Sequence, residues 1–159
     1  MLIKRDKYLK ELIRRQNNGL IKVITGMRRC GKSYLLNQIF FGWLLTSGVD
    51  DGHIIRLAFD SAEDLEKMGE SLLEIKKQKR LANPSLFSEY IKTKIKDDEN
   101  YYLLLDEVQL LENFESVLNG YLYKQNIDIY VTGSNSKFLS KDVVTEFRGR
   151  GDLVHVLPL

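Results

Sequence analysis

The run Gly26-Met27-Arg28-Arg29-Cys30-Gly31-Lys32-Ser33 spaces its glycines, lysine and serine as G-x-x-x-x-G-K-S, a pattern suited to holding several negative charges against backbone. Glycines let a loop curl tightly, successive N–H groups converge on the enclosed anion, and a helix starting at Lys32 adds its positive dipole end. Lys32 is then placed to bridge the β- and γ-phosphates of a nucleoside triphosphate, and the Ser33 hydroxyl to coordinate Mg2+. Because such a loop binds through its backbone, Gly26 to Ser33, with Tyr34 following, are the expected phosphate contacts. The Arg28 and Arg29 side chains either touch phosphate or a neighbouring element, or point to solvent.

Two carboxylates, Asp106 and Glu107, close the apolar run that begins at Tyr101. At the end of a buried strand, Asp106 is placed to hold Mg2+ directly or through water, and Glu107 to orient and polarise an attacking water, which predicts hydrolysis rather than storage. Further on, Val131-Thr-Gly-Ser-Asn135 sets small polar groups at the carboxyl edge of a sheet. Ser134 or Asn135 can there meet the γ-phosphate or the lytic water, although both are also ordinary turn residues. Arg148 and Arg150 precede the last strand. Either one suits the charge of a transferring phosphoryl group, in cis or from a neighbouring copy of the chain, and both equally suit solvent. His53 and His155 stand far from any second His or Cys, a spacing unlike that of a metal site.

The elements that must carry these groups alternate. An amphipathic helix built on Leu2, Leu9, Leu12 and Ile13 is stopped by Asn17-Asn18-Gly19. Strands are predicted at residues 20–25, 53–59, 101–105, 127–132 and 152–157, and helices at 32–46, 71–96 with a break at Asn83-Pro84, and 112–125. Strands joined by helical crossovers imply an α/β fold: a mostly parallel sheet of five strands covered on both faces.

With 159 residues, 43% of them hydrophobic, the chain has material for one domain with one core. Lys and Arg number 24 against 22 Asp and Glu, a net charge of +2 that excludes a global electrostatic attraction to nucleic acid or an anionic surface, so any such partner binds a local patch. The densest cluster, Lys76 to Arg80, reads as a solvated helix face. Cys30 is the only cysteine, which rules out an intramolecular disulfide and fits a reducing compartment, with cytoplasm as the expectation. No segment approaches the roughly 20 apolar residues that cross a bilayer.

With GMRRCGKS as Walker A, YYLLLDEVQ as Walker B, VTGSNS after the fourth strand and FRGR before the fifth, the chain resembles the prokaryotic AAA-type P-loop ATPases whose loop reads GxRRxGKS. The resemblance implies a three-layer α/β/α fold with strand order 5-1-4-3-2, ATP and Mg2+ as cofactors, and ATP hydrolysis as the activity. Carried over by motif, Lys32 and Ser33 are the phosphate and Mg2+ residues, Asp106 the metal residue and Glu107 the catalytic glutamate. Ser134 or Asn135 is the sensor and Arg150 the best candidate for an arginine finger. The family's lid and carboxyl-terminal domain are not in the sequence. Residues 1–159 are therefore expected to be a single ATPase domain cut from a longer chain and slow by itself. An ATP-dependent binding switch, or a nucleic-acid-associated motor with little intrinsic turnover, is the rival reading. A protein or nucleic-acid partner and a homo-oligomer both remain open.

Overall fold

The computed structural model describes residues 2–26, 30–124, 126–134, 147 and 149–157. Five strands, β1 (Ile21–Thr25), β2 (Ile54–Ala58), β3 (Tyr101–Asp106), β4 (Ile127–Thr132) and β5 (Gly151–His155), form one sheet in the order β2-β3-β4-β1-β5. Every neighbouring pair is parallel, and read from its other edge this is the expected 5-1-4-3-2. Parallel neighbours require long crossovers, which here are helical.

The sheet is apolar on both faces, as a doubly covered sheet must be. Period-2 alternation sends Ile21, Val23, Leu103, Leu105, Ile129 and Val131 to one core, and Ile24, Tyr102, Leu104 and Tyr130 to the other. Against the first core pack Leu65 of α4 (Ala62–Lys67), Phe87 and Ile91 of α6 (Pro84–Lys94), and Phe114 and Leu118 of α7 (Phe114–Leu122). Against the second pack Tyr8 and Leu12 of α1 (Leu2–Arg14) and a helix running through residues 32–46. That helix is continuous from α2 (Lys32–Tyr34) through a π-helical stretch (Leu35–Phe40) into α3 (Phe41–Thr46), with Leu36, Phe40 and Leu44 fully buried.

Local signals explain most boundaries. Ser71 accepts from Glu74 N at 3.3 Å to start α5 (Leu72–Gln78), and Asn83 accepts from Ser85 N at 2.8 Å, with Pro84 opening α6. The predicted strand at 53–59 is shorter, because Asp51–His53 forms a 3-10 turn ahead of β2. Helix α4 was not anticipated: its six residues bury only Leu65 and show no stripe, although Ser61 caps Asp64 N at 3.3 Å.

At the amino ends of the strands a buried polar knot ties α1 to the sheet. The Lys22 ammonium, fully buried, donates to Asp128 and to Leu20 O at 2.8 Å, while Asp128 also accepts from Asn17 N at 2.9 Å. Tyr130 donates its hydroxyl to Leu12 O at 2.8 Å. Burial holds the Lys22 ammonium below its ordinary pKa and pushes the Asp128 carboxyl above its own, each opposed by the partner's charge. Among the described residues no helix is long and apolar enough to cross a membrane.

Candidate functional site

β1 runs straight into the glycine loop, which is built at both ends on conformations that suit glycine. Gly26 has φ +150°, and a Cβ there would lie 2.6 Å from Val156 O and 2.7 Å from Cys30 Sγ. Gly31 is left-handed at φ 96°, immediately before the helix that starts at Lys32. The buried Lys32 ammonium donates to Gly26 O at 2.6 Å, so this side chain reaches back from the end of the loop to its first residue. Met27, Arg28 and Arg29 lie outside the described residues.

Two strands away, β3 delivers its carboxylates to the same edge. Ser33 Oγ donates to the Asp106 carboxylate, 2.9 Å from Oδ1 and 2.7 Å from Oδ2. Two ligands in adjacent positions around a cation with bond lengths of 2.1 Å lie about 3.0 Å apart, so this hard-oxygen pair fits Mg2+ in donor type and spacing. From β4, the fully buried Thr132 donates its hydroxyl to Asp106 and accepts from Glu107 N at 3.0 Å. Thr132 thereby joins the two acidic residues.

Glu107 is left-handed, with φ 53° and ψ 49°, and opens the 3-10 turn Val108–Leu110. Its carboxylate accepts from Ser134 Oγ, 2.9 Å from Oε1 and 2.8 Å from Oε2, and from Gln109 Nε2, 2.6 Å from Oε2. A third carboxylate, Asp60 in the turn just after β2, is close enough to feel the other two. Burial first, and then the charge of Asp106, push its carboxyl above the usual range, with Glu107 and Asp64 adding to the effect. Such an accumulation of negative charge at the mouth of a phosphate loop suits a divalent cation.

The fold thus brings together Gly26, Gly31, Lys32, Ser33, Asp106, Glu107 and Ser134. Cys30 is buried within the loop. Tyr34 is 49% exposed under the Arg5 guanidinium, 4.7 Å from its ring centre, and borders a cavity of about 40 Å3 shared with Tyr8, Ile39 and Val156. Arg150 is not brought to the loop. Its carbonyl accepts from Ile21 N at 2.7 Å, at the amino end of β1, so the strand's five residues, roughly 16 Å at 3.3 Å each, separate it from the loop. Its guanidinium instead covers the Tyr123 ring and donates to Tyr123 Oη at 2.9 Å. Asn135 and Arg148 lie outside the described residues. The histidines serve locally, His155 Nδ1 lying 3.1 Å from Thr25 Oγ1 and His53 Nε2 3.0 Å from Asp97. No cluster of metal-binding side chains occurs among the described residues beyond the oxygen pair already described.

Sequence reasoning missed Thr132, Gln109 and Asp60 as members of the site. Thr132 was within reach: once β3 and β4 are neighbours with Leu105 opposite Val131, the next residues, Asp106 and Thr132, must meet.

Comparisons with known proteins bear on the family and the fold. An uncharacterised protein of Haemophilus influenzae is 32% identical over 159 residues, covering 99% of this chain and 36% of its own length. One from Methanocaldococcus jannaschii is 32% identical over 143 residues, covering 87% of this chain and 26% of its own. The chain therefore spans about a third or less of these relatives. Among solved structures, Drosophila ORC bound to DNA superposes with a TM-score of 0.59 at 12% identity, covering 99% of this chain and 93% of that one. AMPPCP-bound DnaA from Aquifex aeolicus superposes with a TM-score of 0.54 at 20% identity, covering 93% and 43%. At such identities these neighbours establish the fold. A family model described as an AAA domain matches residues 18–159, and with that match over most of its length the chain belongs to the AAA domain family.

Proposed function

We propose that the chain binds Mg-ATP in the loop Gly26–Ser33 and hydrolyses it to ADP and phosphate, as the ATPase domain of a longer protein. The observation that supports this most directly is the unbroken network Ser33–Asp106–Thr132–Glu107, which sets the metal-binding oxygens and a carboxylate side by side at the mouth of the phosphate loop. Loop N–H groups and Lys32 hold the β- and γ-phosphates. Ser33 and Asp106 hold Mg2+, which when bound neutralises the charge that develops on the phosphate oxygens. Glu107 orients water for in-line attack on the γ-phosphorus and accepts its proton. Ser134, hydrogen-bonded to Glu107, and Asn135 are the sensor candidates.

Arg150, seated a strand length from its own chain's loop, acts in this reading on the nucleotide of a second copy, which makes a homo-oligomer the productive form. The lone Cys30 supports a reducing compartment, and the cytoplasm is the proposed location.

Labelled ATP and GTP with Mg2+ test the reading, with phosphate release followed in the same samples. Lys32→Ala removes a charged hydrogen-bond donor to phosphate worth about 1.5–3 kcal/mol, so ATP affinity is expected to fall about 10- to 100-fold. Glu107→Gln is expected to keep ATP binding and lose phosphate release. Equal, weak binding by wild type and Lys32→Ala refutes the proposal. Firm ATP binding with no phosphate release from either protein makes the chain a nucleotide-dependent binding switch instead.

A further inference from the structure

We infer that Gln109 is a positioning residue for the Glu107 carboxylate, closing one of its oxygens so that the other receives the attacking water; this rests on the reading of Glu107 as the water-activating base. A carboxylate has about four acceptor positions, two on each oxygen. Oε2 takes the Gln109 amide at 2.6 Å and shares the Ser134 hydroxyl, which leaves Oε1 with the shared hydroxyl alone. The open acceptor position is therefore on Oε1, and the amide on Oε2 holds the plane of the carboxylate.

The direction of the amide is fixed by chemistry. Turned over, it would set a carbonyl oxygen against a carboxylate oxygen, so Nε2 must face Glu107. In that orientation Gln109 Oε1 is buried without a hydrogen-bond partner among the described residues. An unpaired buried acceptor is a cost, and it accompanies the donor's placement on Glu107.

The mount is rigid as well. Gln109 sits in the 3-10 turn Val108–Leu110, whose Val108 is fully buried and whose Leu110 O accepts from Ala82 N at 2.9 Å. Glu112 N donates back to Ala82 O at 3.0 Å, completing a bridge between residues 82 and 111. The turn is thus pinned to the segment ahead of α6, and the amide reaches Glu107 from a fixed base. The turn also follows directly from the left-handed Glu107, so its adjacent residues Leu110 and Gln109 hold that residue's carbonyl and carboxylate.

The test is steady-state and enzyme-excess phosphate release by the full chain, with Mg-ATP affinity and melting temperature measured on the same samples. Gln109→Leu keeps the bulk and loses the donor, and Gln109→Asn stays polar but is one methylene too short. Both are expected to lower kcat about tenfold, the cost of a loosely held reacting group, with KM and Mg-ATP affinity unchanged. Placed on Glu107→Gln, Gln109→Leu is expected to change nothing further. Wild-type or raised kcat in the two single variants, with Glu107→Gln inactive, overturns the role of Gln109 and leaves the base assignment standing. A matched fall in melting temperature and nucleotide affinity also overturns it, in favour of a merely structural turn. Equal phosphate release by wild type and Glu107→Gln, none from either included, overturns the base assignment and this inference with it.

Discussion

Thr132→Val isolates the hydroxyl on which both acidic residues depend. The side chain is fully buried, donates to Asp106 and accepts from Glu107 N at 3.0 Å, and valine keeps its shape while deleting both bonds. Losing a hydrogen bond to a carboxylate costs about 1.5–3 kcal/mol, and leaving the Glu107 N–H without its acceptor about 1–3 more. Burying a methyl in place of a hydroxyl returns about 1 kcal/mol, so the net loss is about 3 kcal/mol. At 2–4 °C per kcal/mol for a chain of this size, the melting temperature should fall about 6–12 °C. Phosphate release should fall further than the melting temperature explains, because the left-handed Glu107 loses the anchor on its N–H. Thr132→Ser, which keeps the hydroxyl, should recover most of both. Thermal melts by circular dichroism with and without Mg-ATP, paired with phosphate release, provide the measurement. A Thr132→Val protein melting within 2 °C of wild type, or a serine variant as damaged as the valine one, would refute the argument.

Other perturbations separate strain, burial and charge. Asp128→Ala strands the buried Lys22 ammonium and should cost about 3–5 kcal/mol, whereas Lys22→Met combined with Asp128→Leu should regain most of the loss, as denaturant titration will report. Gly26→Ala forces a Cβ to 2.6 Å from a backbone carbonyl, while at Gly31 a Cβ meets nothing within 4 Å. Both variants carry positive-φ strain of about 1–3 kcal/mol, but Gly26→Ala should melt several degrees below Gly31→Ala. The Arg80 guanidinium, bonded to both Glu70 oxygens at 2.7 and 2.9 Å, holds that carboxyl below its ordinary range, helped by Asn83 N. A lowered carboxylate pKa stabilises the fold above the unfolded value and ceases to do so as pH falls through the folded one. The melting-temperature difference between wild type and Glu70→Gln should therefore hold from pH 8 to 5 and shrink below about pH 4.3.

What could be read in the sequence is what local chemistry dictates. The loop at Gly26–Ser33 and the apolar run into Asp106 each declare their element within a few residues, and strands alternating with helices imply a parallel sheet, whose order was implied only by the family resemblance. What could not be read lies across strands or in single backbone angles. Gln109 belongs to the site through a contact made from a 3-10 turn, which leaves no periodic signature, and Thr132 through a register that can be read only once β3 and β4 are paired. Arg150 was singled out for guanidinium chemistry that serves in cis or from a second copy, and parallel pairing of β5 with β1 puts it at the sheet edge opposite its own chain's loop. Helix α4 stayed hidden because one buried leucine makes no stripe. Its serine cap with an acid three residues on was the only clue, and that pattern also occurs in turns.

The adjacency of Asp106 and Glu107 poses a geometric problem that the fold has to solve. Successive side chains of a strand point to opposite faces of the sheet, so two neighbouring carboxylates cannot both serve one nucleotide while the strand continues. β3 ends at Asp106, and Glu107 turns left-handed, a conformation that is unfavourable for a residue with a Cβ. Three independent restraints keep it there: Thr132 takes its N–H, Leu110 N donates to its carbonyl at 3.1 Å, and Ser134 and Gln109 hold its carboxylate. Strain of this kind persists only where the surroundings over-determine it. The second carboxylate therefore depends less on the strand that carries it than on β4 and the turn beyond, and a substitution in either should disturb Glu107 before it disturbs Asp106.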